Sequence, residues 1–297
     1  MTSDFALTSD QIKRTVDLLI EKRPAYTEML DFYGQIFIDQ ENSKSRIRIE
    51  LIQISDEMLS VKTRENLPLI AVNEFAIDEK ESRALFLTIC NLAQKANPQM
   101  ANAAHAVLNA VDAGVDLNVM FSGILNGNEA LFENLSEDLG IEKTALGFIT
   151  YNSLVPSVFA CAEQLSGYLK KAEPWLKGYC PICGSLPILA IFKHEGTRSL
   201  ICSFCRYEWY VKRVHCPFCE TSDNKHLHYF YSEEEDDLRI DVCENCKKYI
   251  KTIDTRKAQR MIYPPLEQVS SLHLDYKASE MGYASGVYLY METQSKL

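Results

Sequence analysis

CPICGSLPILAIFKHEGTRSLICSFCRYEWYVKRVHCPFC, residues 180–219, holds three Cys-x-x-Cys pairs, and CENC follows at 243–246. Eight of the chain's ten cysteines therefore lie in one short stretch, always paired with two residues between. Two cysteines so spaced on a tight turn can aim both sulfurs at one ion. Two such turns facing each other make a tetrahedral four-sulfur site suited to zinc or iron. Eighteen residues separate Cys183 from Cys202, ten separate Cys205 from Cys216, and twenty-three separate Cys219 from Cys243. The first and third gaps hold hairpins, HEGT at 194–197 turning one and the acidic run Glu233 to Asp237 turning the other. The ten-residue gap has room for one strand and a link, EWYVKRVH. The spacing thus predicts sequential sets. Cys180, Cys183, Cys202 and Cys205 would hold one metal, and Cys216, Cys219, Cys243 and Cys246 the other. A cross-braced pairing, first with third and second with fourth, is the alternative.

Working outward, 297 residues leave room for about two domains. No run of eighteen apolar residues occurs, so no membrane span is expected. The start, MTSDFALTSDQIKR, lacks the basic and apolar regions of a secretory signal. The expected compartment is the reducing cytoplasm, where paired cysteines hold metals or do redox work rather than form structural disulfides. The net charge is −10. Residues 175–260 carry 14 Lys and Arg against 12 Asp and Glu, and eight thiolates on two divalent ions would turn that balance slightly acidic. Nucleic-acid binding needs a clearer basic excess.

Residues 1–172 read as a helical domain. Thr8 to Gln11 fits a capping box, Asn97-Pro98 a cap followed by proline at the first helical position, and Gly114 a stop. Asn128 caps a further helix, and the long helical run after Gly140 is expected to break near Pro156. Residues 173–212 form a first β-rich four-cysteine module and residues 213–260 a second. After the Pro-Pro at 264–265, the tail 261–297 is expected to be helical and packed back. The fold class is α+β: an N-terminal helical bundle followed by two small rubredoxin-like, zinc-ribbon-like metal modules.

Other candidates carry less. A thioredoxin-like site uses one Cys-x-x-Cys at a helix start, not four among hairpins. Iron–sulfur clusters favour uneven spacing. A catalytic zinc keeps an open position, and two complete sets leave none. His215 reads as a surface strand residue, His226 and His228 as solvent-exposed strand neighbours, and His105 as a satisfied or surface histidine. Cys90 and Cys161 read as core thiols. Tyr207, Trp209 and Tyr210 are expected to pack the ribbon, with partner contact as the minority reading. The acidic run reads as a solvated turn. The chain has no nucleotide-binding loop and no protease or hydrolase motif, so no catalytic residues are assigned.

The order WLKGYCPICGSLP, GTRSLICSFCRYEW, KRVHCPFC, YSEEE and VCENCKKYIKTID resembles the FdhE family of formate dehydrogenase accessory proteins. RPAYTEMLDFYGQIF and LHLDYKASEMGY resemble that family's opening and closing segments. The resemblance implies two metal ions per chain, iron or zinc, on the eight cysteines. It also implies a non-enzymatic cytoplasmic maturation factor, chaperone-like, acting on the catalytic subunit of a molybdenum- or tungsten-dependent formate dehydrogenase. Neither nucleic acid nor membrane is expected as a partner. Lys212, Arg213, Tyr207 and Trp209 are candidate contacts. Alternatives are an iron-dependent or thiol-based redox protein serving the immature enzyme, and a zinc-ribbon nucleic-acid binder. Gly184, after Cys183, suits a rubredoxin-type knuckle. Arg206, Glu220 and Lys247, at the matching places, depart from it and count against an electron-transfer iron.

Overall fold

A computed structural model describes residues 7–169, 175–232 and 235–287. The expected boundary at 172–173, Glu233 and Glu234, and the end of the tail lie outside these residues. The chain divides into two compact units. The helical unit takes Thr8–Ile52 and Val72–Cys161. The sheet unit takes Gln53–Ala71 and Ala162–Val287.

The helical unit contains α1 (Ser9–Lys22) and α2 (Thr27–Ser43). The next helix in the chain, α3 (Asp56–Arg64), belongs to the sheet unit. The helical unit resumes with α4 (Glu79–Ala93), α5 (Pro98–Asp112), α6 (Leu117–Leu125) and α7 (Glu129–Leu139). It also holds α8 (Lys143–Leu169) as far as Cys161. Oxygen-bearing side chains start these helices where the sequence places them. Thr8, Asp78, Asn97, Asp116 and Asn128 each accept a backbone N–H of the first turn, and Thr8 and Gln11 complete the capping box. Apolar faces bury Leu30, Ile36, Phe86, Ile89, Phe121, Phe132, Leu146 and Ile149 almost completely.

α8 does not break at Pro156. Proline lacks the N–H that the carbonyl of Asn152, four residues back, would accept. Gln40, buried on α2, supplies the missing donor. Its Nε2 lies 2.8 Å from that carbonyl and 3.2 Å from Asn152 Oδ1. The helix is long and apolar enough to cross a membrane, but 89% of its apolar window is buried inside the fold, as a core helix requires.

The sheet unit repeats one plan. β1 (Pro187–Phe192), β2 (Arg198–Cys202) and β3 (Glu208–Val211) form one antiparallel meander. β4 (Leu227–Ser232), β5 (Glu235–Cys243) and β6 (Lys248–Asp254) form another. Parallel pairing of β1 with β6 joins them into one sheet of order β3-β2-β1-β6-β5-β4. β1 occupies the Lys251–Asp254 half of the β6 edge. The short β7 (Ala284–Ser285) pairs with Lys248 and Tyr249 on the other half. The expected tail helices are α9 (Pro264–Val269) and α10 (Leu272–Glu280). Leu274 and Ala278 of α10 pack into a cluster with Leu189, Ile191, Leu238, Ile240 and Ile253.

Charge is buried beneath these helices in pairs. Lys251, 1% exposed, places Nζ 2.6 Å from Asp275 Oδ2 and 2.9 Å from the Gln268 carbonyl. Tyr249 donates its hydroxyl to the same carboxylate. The acidic run is not simply a solvated turn. β5 begins at Glu235, and strand alternation turns Glu235 and Asp237 inward while Asp236 stays exposed. Glu235 faces His273, and Asp237 pairs with Arg260, which also pairs with Glu267.

Candidate metal centres

Each centre is built from one Cys-x-x-Cys turn ahead of a hairpin and a second at the end of the hairpin's second strand. The four turns share a backbone. The N–H of Cys180, Cys202 and Cys216 bonds to the carbonyl five residues on, and Cys243 faces Lys248 in the β5–β6 register. The residue after each second cysteine is left-handed: Gly184 at φ 76°, Arg206 at 61°, Glu220 at 58° and Lys247 at 56°. The departure expected at the three non-glycine positions is therefore one of residue type, not of geometry. Each of these residues adopts the glycine-like conformation at a cost of roughly 1–2 kcal/mol.

The structure brings Cys180, Cys183, Cys202 and Cys205 together, and separately Cys216, Cys219, Cys243 and Cys246. Within each group all sulfurs lie within 4.8 Å of one another. In the first group Cys180–Cys205 is 3.6 Å, Cys183–Cys202 3.5 Å and Cys183–Cys205 3.7 Å. In the second, Cys216–Cys246 is 3.7 Å and Cys219–Cys243 3.6 Å. A disulfide would need about 2.05 Å. A regular tetrahedron with metal–sulfur bonds of about 2.3 Å has edges of about 3.8 Å, so the donor sets fit a four-sulfur ion.

The first centre is closed. Its cysteines are 0–5% exposed. A segment more than a hundred residues upstream clamps its leading turn: the N–H groups of Leu69 and Ile70 donate to the carbonyls of Pro181 and Ile182 at 2.9 Å. Tyr179 Oη donates to the Asn66 carbonyl. A Cβ at Gly184 would come within 3.2 Å of Pro68. The backbone N–H groups of Phe204 and Cys205 point at Cys202 Sγ, both at 3.4 Å. Burial pushes the thiols of Cys180 and Cys205 well up. Hydrogen bonds from Cys180, Cys202 and Cys205 pull Cys183 far down. Four such groups cannot all ionise in an apolar site without a cation.

The second centre is more open. Cys216 and Cys243 are buried, but Cys219 and Cys246 are only half-buried. Asn245 Nδ2 donates to Cys219 Sγ at 3.4 Å. Slight burial raises the Cys219 thiol, but hydrogen bonds from Asn245, the Thr221 backbone and neighbouring cysteines outweigh it and bring the thiol down to about 7. Burial holds Cys246 up at about 11. Arg198, only 4% exposed, supports this centre from the other meander. It donates to the carbonyl of His215, the residue before Cys216, at 2.7 Å, and pairs with Asp241 at 3.0 Å. Gly178, ahead of the first centre, lies against the second. A Cβ there would sit 1.9 Å from the Pro217 carbonyl oxygen.

Sequence reasoning did not single out Arg198 or the 66–70 segment. The signal for the segment was its apolar Leu67, Leu69 and Ile70 around Pro68, out of keeping with a linker. Arg198, beside a hairpin turn, carried none. His215 is not on the surface. It is 7% exposed, lies outside the strands, and neither ring nitrogen has a partner among the described residues. Of the candidate contacts, Trp209 is an interior residue: strand alternation turns it inward, where Nε1 donates to the Lys177 carbonyl. Tyr207 is half-buried, and Lys212 and Arg213 are exposed. His226 sits in a single 3-10 turn before β4, and both His226 and His228 are exposed. His105 is exposed on α5, 3.4 Å from Gln94. Cys90 and Cys161 are core thiols, raised by burial to about 12 and about 11.

Fold and site together define a protein with a helical unit and a twin-meander sheet carrying two four-cysteine centres that could each hold a metal ion. Residues 179–213 match the FdhE central domain and residues 214–291 the FdhE C-terminal domain. A protein named FdhE homolog from Aquifex aeolicus (strain VF5) is 28% identical over 273 residues, 90% of this chain and 89% of that protein. FdhE of Escherichia coli (strain K12) is 34% identical over 110 residues, 36% of this chain and 35% of that one. The crystal structure of the FdhE protein from Pseudomonas aeruginosa has the same fold, with a TM-score of 0.69 at 22% identity, covering 97% of this chain and 98% of that chain. The chain is thus similar to the FdhE family across its four-cysteine region, residues 179–291.

Proposed function

We propose that this protein is a non-enzymatic maturation factor that binds the catalytic subunit of a molybdenum- or tungsten-dependent formate dehydrogenase in the cytoplasm, through its sheet unit. Similarity to the FdhE family supports the coarser statement, an accessory role toward formate dehydrogenase. The observation that carries the metal part of the reading is the pair of four-sulfur groups at tetrahedral spacing. Cys180, Cys183, Cys202 and Cys205 would hold one ion and Cys216, Cys219, Cys243 and Cys246 the other, iron or zinc. Bound there, either ion would cross-link its turns, and iron would add a one-electron couple. Exposed Lys212 and Arg213, on the link between the centres, are the proposed contact residues for the client.

The test is metal content and an absorption spectrum on protein purified without oxygen, followed by co-purification with the catalytic subunit. Two ions per chain and a retained subunit are expected. Far fewer than two ions would overturn the metal assignment, and no retention would overturn the partner.

A redox role for iron is the second reading. It is favoured by the backbone N–H groups directed at Cys202, which help set an iron potential. A zinc-only protein that still activates the client would end it.

A further inference from the structure

We infer that the second centre is the exchangeable one, taking up and releasing a thiophilic metal ion through Cys219 and Cys246, while the first centre keeps its ion. The inference rests on the two-metal reading above. Ligand exchange at a four-thiolate ion begins when an incoming donor reaches the ion as one protein sulfur moves off, so at least one sulfur must face solvent. The first centre offers none: its four cysteines are 0–5% exposed. The second is divided. Cys216 and Cys243, the first cysteines of their turns, are 3% and 2% exposed, whereas Cys219 and Cys246, the second cysteines, are only half-buried.

The division also sets the order of events. The inner sulfurs contact the outer ones, Cys216 with Cys246 and Cys219 with Cys243. Cys219 and Cys246 would leave first, to two incoming thiolates, and buried Cys216 and Cys243 would hold the ion until two more thiolates displaced them. Each displacement would break one metal–sulfur bond and form one. The released cysteinates take up protons from water, and no electron moves. The incoming ligand class is a thiolate, from a small thiol or from a cysteine of another protein. The structure places one exposed side chain against the leaving sulfur, Asn245, which donates to Cys219 Sγ. Its amide stabilises the closed arrangement and sets how readily the outer pair opens.

The experiment uses the full chain loaded with zinc. Two zinc ions per chain are measured first, and fewer would overturn the two-metal reading itself. EDTA with a chromophoric chelator should then draw out the ions in two phases of one ion each, at least tenfold apart in rate. Iodoacetamide present during the fast phase should label Cys219 and Cys246 and leave Cys180, Cys183, Cys202 and Cys205 unmodified in the peptide masses. Asn245→Ala should speed the fast phase about three- to tenfold, the worth of one hydrogen bond, without changing the slow one. With two ions bound, a single release phase, earlier labelling of the first centre, or an Asn245→Ala variant that leaves the fast phase unchanged would overturn the inference.

Discussion

The first centre is clamped by a distant segment of the sheet unit, residues 66–70, and its cysteines are 0–5% exposed, whereas in the second Cys219 and Cys246 are only half-buried. Their local chemistry is nearly the same. Both use Cys-x-x-Cys turns around a hairpin, both have left-handed residues after the second cysteine, and both set sulfurs 3.5–3.7 Å apart. The comparison teaches that the motif fixes the donor set and its geometry, while packing from elsewhere fixes who can reach it. An ion bound at such a site would be shielded or reachable according to its neighbours.

The largest effect expected comes from removing ligands. Cys202→Ser with Cys205→Ser should reduce the metal content to one ion and remove on the order of 10 kcal/mol of binding free energy that supports the folded sheet unit. Cys219→Ser with Cys246→Ser should also leave one ion, with a smaller fall in melting temperature, since the outer sulfurs hold less buried structure. Equal falls in the two variants would break the comparison.

Next is Arg198→Met. It leaves the Asp241 carboxylate short of one cationic partner and frees the His215 carbonyl. About 3–5 kcal/mol of stability should be lost in denaturant titration, together with faster metal release from the second centre. Release from the first centre should stay slow.

Raised pKa values give a pH window. Cys90 is held at about 12 by burial, against about 9 when exposed. Between those values the unfolded chain loses this proton and the folded one keeps it, so the buried thiol's contribution is intact below pH 9 and declines as pH rises toward 12. Thermal melts of the metal-loaded protein should fall over that range. Alkylation should spare Cys90 at pH 9 in the folded state.

The smallest effect concerns the turns. Glu220→Gly puts the residue suited to left-handed φ where glutamate now sits and should stabilise by about 0.5–1 kcal/mol. Gly184→Ala in the first centre should destabilise by about 1 kcal/mol or more, because φ is 76° and Pro68 lies 3.2 Å from the added carbon. Paired melting curves check the opposite signs.

Much of this was legible in residues 180–254. The sulfur spacing, the turn at 194–197 and the runs LHYFYS and LRIDVC lead directly to the two hairpins, and Thr8, Asn97 and Asn128 announce helix starts. These features are local: a cap, a turn or a Cys-x-x-Cys knuckle is decided by atoms within a few residues along the chain. What the sequence could not disclose depends on partners brought from far away. Gln40 carries α8 through Pro156 by binding a carbonyl 112 residues on. β1 meets β6 across some sixty residues to make two meanders one sheet. Leu69 and Ile70 close one centre, and Arg198 reaches across to support the other. His215 and Glu235 were misplaced for the same reason, since their burial comes from what packs over them. By itself, then, the sequence pointed to two sequential sets of four sulfurs, the grouping in which the structure brings them together. Only the tertiary structure decided which of them water can touch, because burial belongs to the surfaces that meet in space and not to the residues that carry the sulfur.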